Sequence, residues 1–197
     1  MRYDTEHVRN AGNDPGQITG FPTFTELLTN SHLASLYTSI RHSTAATAPE
    51  LIKTAAVSKK TVYDYLQKLE QAGLITKHEK QARANVYKAA DFELTLTMRD
   101  IEVAITPELI EVVAQEDVYP ILGRVRDEHG LVTFALAHDL TKAHSDGDIT
   151  LRQIATLTDL SPGTTYDLVE ALYEIHDFSE GESMRTISNE PSTRHER

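Results

Sequence analysis

The stretch from Thr47 to Ala90 leaves the chain little freedom in what it can build. Within Ser58–Ala72, Val62, Leu66 and Leu69 recur at intervals of three and four residues, the spacing that lays one apolar stripe along an α-helix. Ser58 stands before the stripe as an N-cap, able to accept a backbone N–H that the helix itself leaves unpaired. Gly73 follows it as a C′ glycine, where the backbone must turn left-handed. Upstream, Pro49–Ala56 reads as a shorter helix. Pro49 falls in its first turn, where a missing N–H costs least, and Leu51, Ile52 and Ala55 form its stripe. Downstream, "GLITKHE" and "NVYKAA" are β-prone runs around a polar tip, Lys80-Gln81-Ala82-Arg83-Ala84, and read as a hairpin. Leu74, Ile75, Val86 and Tyr87 are its core candidates.

Charge singles out the same stretch. The 197-residue chain carries a net charge of -11, yet seven of its eight lysines lie between Lys53 and Lys88. With Arg83 that window holds eight positive charges against Asp64, Glu70 and Glu79, a net +5, which leaves -16 for the remainder. A basic island on an acidic protein is the footprint of a phosphate-binding surface; a solvated helix face is the bland alternative. On the predicted second helix, Lys59, Lys60, Tyr63, Asp64 and Gln67 fall on the outer face, toward the N-terminal half. The acidity elsewhere has two readings, an interaction surface or adaptation to high salt. Acidic residues are spread along the chain and Arg outnumbers Lys by 11 to 8, which favours the high-salt reading.

Helix, helix and basic-tipped hairpin resemble the winged helix-turn-helix of prokaryotic and archaeal transcriptional regulators of the ArsR, MarR and TrmB-like kind. The resemblance covers about 25–90 and rests on "LIKTAAVSKKTVYDYLQKLEQAGLITK" followed by "NVYKAA". It implies a haloarchaeal regulator in which Pro49–Ala56 crosses the DNA backbone and a recognition helix over 58–72 enters the major groove, with a wing over 76–88. The implied contact residues are Ser58, Lys59, Lys60, Thr61, Tyr63, Asp64, Gln67 and Lys68, with Lys80 and Arg83 from the wing. Lys59 and Lys60 could reach phosphate or a guanine edge, and Gln67 could read adenine. Asp64 departs from the pattern: a carboxylate repels phosphate, though it can accept from cytosine N4. Tyr65 is expected to pack partly against the wing.

Ahead of this unit, Leu27, Leu28, Leu33, Leu36, Tyr37 and Ile40 give a leading helix and then a second, capped at Asn30 or Ser31. After it, Phe92, Leu94, Leu96 and Met98 alternate as a strand, a candidate third strand beside the hairpin, and Ile101, Val103 and Ile105 continue the beat. "ELIEVVAQ", "EDVYPILGRVRDEHG" and "LVTFALAHDLTKAHSDG" follow as helices. Then "VSKKTVYDYLQKL" returns as "LSPGTTYDLVEAL" at an offset of 103, matching Ser58 to Ser161, Thr61 to Thr164, Tyr63 to Tyr166, Asp64 to Asp167 and Leu69 to Leu172. Either an internal duplication or the shared demands of a helix-turn-helix explains the likeness. Pro162 and Gly163 replace Lys59 and Lys60, and 147–176 carries Arg152 against five carboxylates, a net -4. DNA should be repelled by that face, so the second unit reads as a dimerisation or partner-binding module, with DNA binding and a purely structural role as the alternatives.

With no Cys, the chain can have no disulfide, zinc-thiolate site or thiolate nucleophile. It contains no G-x-S-x-G, HExxH or phosphate loop, and His129, His138 and His144 read as surface histidines rather than ligands. No apolar run is long enough for a membrane span, and the polar N-terminus lacks a signal core. The expectation is therefore a mainly α, cytoplasmic, non-enzymatic protein with a small β-hairpin wing and no cofactor. Its predicted parts are a flexible tail over 1–20, a winged helix-turn-helix over 21–100, a helical domain with the second helix-turn-helix-like unit over 101–177, and a disordered tail over 178–197. The expected function is sequence-specific binding of double-stranded DNA as a homodimeric transcriptional regulator, with a protein partner possible on the acidic C-terminal domain. The alternative is an adaptor of the transcription machinery that uses winged-helix surfaces without reading DNA.

Overall fold

A computed structural model describes residues 20–44, 46–79, 85–98 and 101–178. The tails expected over 1–20 and 178–197 lie outside the described residues, save Gly20 and Phe178. Helices α1 (Phe21–Leu27) and α2 (Ser31–His42) lead the chain, and Asn30 caps α2, its side chain accepting from the Leu33 N–H. Strand β1 (Ala46–Thr47), helix α3 (Ala48–Thr54) and helix α4 (Lys59–Gln71) follow, then strands β2 (Ile75–Glu79) and β3 (Asn85–Ala89). The Thr47 N–H at the start of α3 donates to the Glu50 carboxylate at 3.0 Å.

β2 and β3 pair antiparallel, Ile75 opposite Ala89 and Glu79 opposite Asn85, so the sequence-predicted hairpin is present. Its third strand is not the one expected. β1 lies on the far side of β3, with Ala46 opposite Tyr87 and Thr47 opposite Val86. The alternating run after the wing becomes β4 (Leu94–Met98) and pairs with β5 (Ile101–Ile105), from Leu94 opposite Ile105 to Met98 opposite Ile101. Two residues separate β4 from β5, so closing this local hairpin costs less entropy than pairing with a longer-range partner. The chain leaves the wing through Phe92, whose ring meets Phe24 edge-on at 5.1 Å and Tyr37 at 6.0 Å.

Five further helices complete the described chain: α5 (Pro107–Val113), α6 (Pro120–His129), α7 (Leu131–Ser145), α8 (Leu151–Thr158) and α9 (Pro162–His176). α5 packs on α2, while α7 packs on β5, α6, α8 and α9. One buried apolar cluster runs from Leu27 and Tyr37 through Leu66 and Ile105 to Phe134 and Leu172. Two ionic contacts, invisible in the sequence, join α2 to α5 and the end of α1 to α6. Arg41 is held by Glu108 at 3.2 Å and by Glu111. Arg126, buried, is paired with Glu116 and donates to the Leu28 carbonyl at 3.3 Å. The Tyr37 hydroxyl donates to the Ala90 carbonyl at 2.8 Å, and burial pushes its pKa up to about 12.

Of the three histidines assigned to the surface, His129 is exposed, His144 is half-buried with its Nδ1 2.7 Å from the Ile149 carbonyl oxygen, and His138 is buried. His138 is only 1% exposed, and its Nε2 lies 3.0 Å from Nε2 of His176, with Asp139 Oδ1 3.4 Å from its Nδ1. A helix-long separation in sequence hid this pair. Burial first, then the neighbouring His138 and Lys142, push the pKa of His176 down to about 4, with Glu108 opposing. A folded pKa below the ordinary value means that the unfolded chain binds the proton more readily. The contribution of His176 to stability is therefore fully present above pH 6.5 and is lost as pH falls toward 4. Thermal unfolding followed between pH 7 and 5 should show a falling Tm in the wild type and a markedly flatter profile in His176→Gln.

Candidate nucleic-acid interface

The presentation of α4 starts with its caps. Ser58 is extended (φ -63, ψ 153) and its side chain accepts from the Thr61 N–H at 3.2 Å. The two hydroxyls, Ser58 Oγ and Thr61 Oγ1, lie 2.8 Å apart. At the other end Gly73 adopts φ +74, and the Leu74 N–H reaches back to the Leu69 carbonyl at 2.9 Å. Substituting Gly73→Ala should cost about 1 kcal/mol, the penalty for a Cβ in left-handed backbone. Denaturant unfolding would register this as an earlier midpoint with unchanged slope. Gly20, at the start of α1, is held for a different reason: a Cβ there would lie 2.9 Å from the Ala72 carbonyl oxygen.

Between these caps the helix is two-sided. Val62, Leu66 and Leu69 are buried against the winged unit. Ser58, Lys59, Lys60, Tyr63, Asp64 and Gln67 are exposed, and Thr61 is half-buried. Lys59, Lys60 and Asp64 take part in none of the ion pairs among the described residues. Their charges therefore face solvent. Lys68 sits differently. Its ammonium is gripped by both carboxylate oxygens of Glu26 on α1, at 2.7 and 2.8 Å. Tyr65 does not turn to the wing as expected: its hydroxyl accepts from Asn30 Nδ2 at 3.1 Å, so it braces α4 against the start of α2. Asn30 lies 35 residues from Tyr65 in sequence, so helical period gave no sign of this hydrogen bond.

Lys80 and Arg83 of the wing tip lie outside the described residues. Three further lysines that the charge count included, but that were not assigned contacts, are exposed around α4: Lys53 in the last turn of α3, Lys77 on β2 and Lys88 on β3. Their clustering in sequence was the available signal.

The second unit repeats the cap closely. Ser161 has φ -62 and ψ 149, its side chain accepts from the Thr164 N–H at 3.1 Å, and Ser161 Oγ lies 2.9 Å from Thr164 Oγ1. Thr150 caps α8, its Oγ1 accepting from the Gln153 N–H at 3.3 Å, and the Thr150 N–H donates to Gln153 Oε1 at 2.8 Å. Tyr166, like Tyr63, is exposed, as is Leu157 on α8. Asp159, Asp167 and Glu170 are exposed as well.

Two helices at a tight turn, a three-stranded wing sheet and a leading helix over them define a winged helix-turn-helix. Residues 34–93, less than half of the chain, match the family model described as sugar-specific transcriptional regulator TrmB, and this segment is similar to that family's winged domain. No curated protein and no solved structure matches the chain. No helix among the described residues is long and apolar enough to cross a membrane, and none of their His, Asp and Glu side chains form a group of three suited to a metal ion.

Proposed function

We propose that the protein is a sequence-specific, double-stranded-DNA-binding transcriptional regulator, with α4 as its recognition helix. The observation that carries this reading is the outer face of α4. Lys59, Lys60 and Gln67 are exposed beside a capped helix N-terminus, and the two lysines are free of the ion pairs that neutralise Lys68. An α-helix fits the major groove, about 12 Å wide, and its N-terminal residues reach base edges. Lys59 and Lys60 contact phosphate or guanine, Gln67 offers the bidentate geometry that suits adenine, and Asp64 favours cytosine N4 and disfavours close phosphate. Ser58, Thr61 and Tyr63 flank them, and Lys80 and Arg83 extend the contact along the backbone from the wing. Two copies present two such helices to a two-fold site.

α8 and α9 keep the helix-turn-helix geometry but replace the paired lysines by Pro162 and Gly163 and carry unneutralised carboxylates, so this unit serves assembly or a protein partner instead of DNA. The experiment is selection from a random duplex library by the full chain in about 1 M KCl, with Lys59→Glu/Lys60→Glu as control. A two-fold motif enriched by the wild type alone bears the reading out. No enrichment by a folded protein overturns it in favour of the adaptor, which uses the same surfaces for protein contacts.

A further inference from the structure

The open edge of β4 is the feature that the DNA-binding reading leaves unused. β4 pairs with β5 on one side, and among the described residues no strand lies on the other. β5 packs on α7, whereas β4 has no comparable helix against it. Antiparallel pairs alternate between those that exchange hydrogen bonds and those that do not. The two-residue connection makes Met98 and Ile101 a hydrogen-bonded pair, and with it Leu96–Val103 and Leu94–Ile105. The backbone N–H and C=O groups of Thr95 and Thr97 therefore point to the open side.

Natural edge strands are commonly blunted by charge, proline or a bulge. The open edge strand of the wing obeys this: β2 reads ITKHE, with Lys77 and Glu79 on it. β4 reads LTLTM and carries no charge, no proline and no glycine, on a chain that is one-quarter charged. One of its faces is apolar through Leu94 and Leu96, each only half-buried, and Ile101 on β5 is 40% exposed.

We propose that β4 pairs with β4 of a second copy, antiparallel about a two-fold axis at Leu96, and joins the two hairpins into one four-stranded sheet. This deepens the homodimer of the proposed function by naming its contact. The strand is its own complement in that register. Thr95 lies opposite the partner's Thr97 and exchanges backbone hydrogen bonds with it, and the symmetric pair does the same. Leu96 meets the partner's Leu96 in the closer, non-hydrogen-bonded pair. Apolar residues share one face and threonines the other, as an even-numbered register requires. The occupant is a second copy because the strand is its own complement in this register, and because an uncharged strip lets two chains of net charge -11 approach.

The test is the mass of the full chain in about 1 M KCl by light scattering. The wild type should run at twice the 22.0 kDa of the single chain. Thr95→Pro removes an outward N–H at an edge position where proline is tolerated, and should run as a folded monomer with unchanged far-ultraviolet circular dichroism. If that variant fails to fold, Thr95→Lys/Thr97→Lys decides. Its second lysine faces Glu102 within the hairpin, while across the two-fold axis lysine meets lysine, so monomer is again expected. A monomeric wild type overturns the proposal, as does a dimer that survives in a folded variant. DNA selection reports separately: enrichment of a single half-site by a monomer would keep the regulator reading and remove only this contact.

Discussion

Lys59→Glu/Lys60→Glu is expected to weaken binding to the selected duplex by at least about 100-fold while leaving helical content unchanged. Each good contact to a base edge or phosphate is worth about 1–3 kcal/mol, and the double substitution both deletes two contacts and adds two repulsive charges. Helix integrity should survive. Both side chains are exposed and outside every described ion pair, and carboxylates in a first helical turn interact favourably with the helix dipole. Salt adds a second readout. At about 1 M the Debye length is about 3 Å, so remote charges contribute little and direct contacts dominate. As salt is lowered, log affinity should rise less steeply for the variant, its slope reduced by about 2 if both lysines touch phosphate. Unimpaired binding would mean that α4 does not enter the groove and that another surface holds the duplex.

Arg126→Met should destabilise the fold by about 3–5 kcal/mol, the usual result of stranding one partner of a buried pair. Arg126 is 8% exposed, Glu116 lies against it, and the Leu28 carbonyl at the end of α1 depends on the same guanidinium. Burial already pushes the Glu116 pKa upward, with Arg126 opposing that shift. Without Arg126, Glu116 is left either charged and buried or protonated. The midpoint of thermal unfolding should fall by about 10 °C, scaled for a chain of this size. Arg126→Met/Glu116→Gln should recover a substantial part of the loss, because no uncompensated charge remains. A single variant as stable as the wild type would show that this contact does not hold α6 to the end of α1.

Much of this protein was legible because it depends on neighbours in the chain. Ser58 and Ser161 as caps, Gly73 and Gly130 as helix ends, and the stripe of Val62, Leu66 and Leu69 are local consequences of backbone hydrogen bonding and period. So is the outward placement of Lys59, Lys60, Tyr63, Asp64 and Gln67, since a helix with one buried stripe has its other face decided. The exposure of this face was thereby readable before any coordinates, while Lys68 was not. Its position on α4 followed from the sequence, but its grip on Glu26 did not, because a side chain 42 residues away selects that partner.

What only the tertiary structure decided has the same physical origin throughout: choices between partners remote in sequence and similar in local propensity. β3 pairs with the two-residue β1 and not with the longer β4, which pairs with β5 across a two-residue connection of low closure entropy. Tyr65 turned to Asn30, and His138 met His176 across α7 and α9. Arg126 found Glu116 and a carbonyl 98 positions before it. The sequence by itself determined most of the elements, their caps and the exposed face of α4, because these depend on hydrogen bonds and side-chain period within a few residues. Which elements touch, and which edge stays open, waited on the packing of the whole chain.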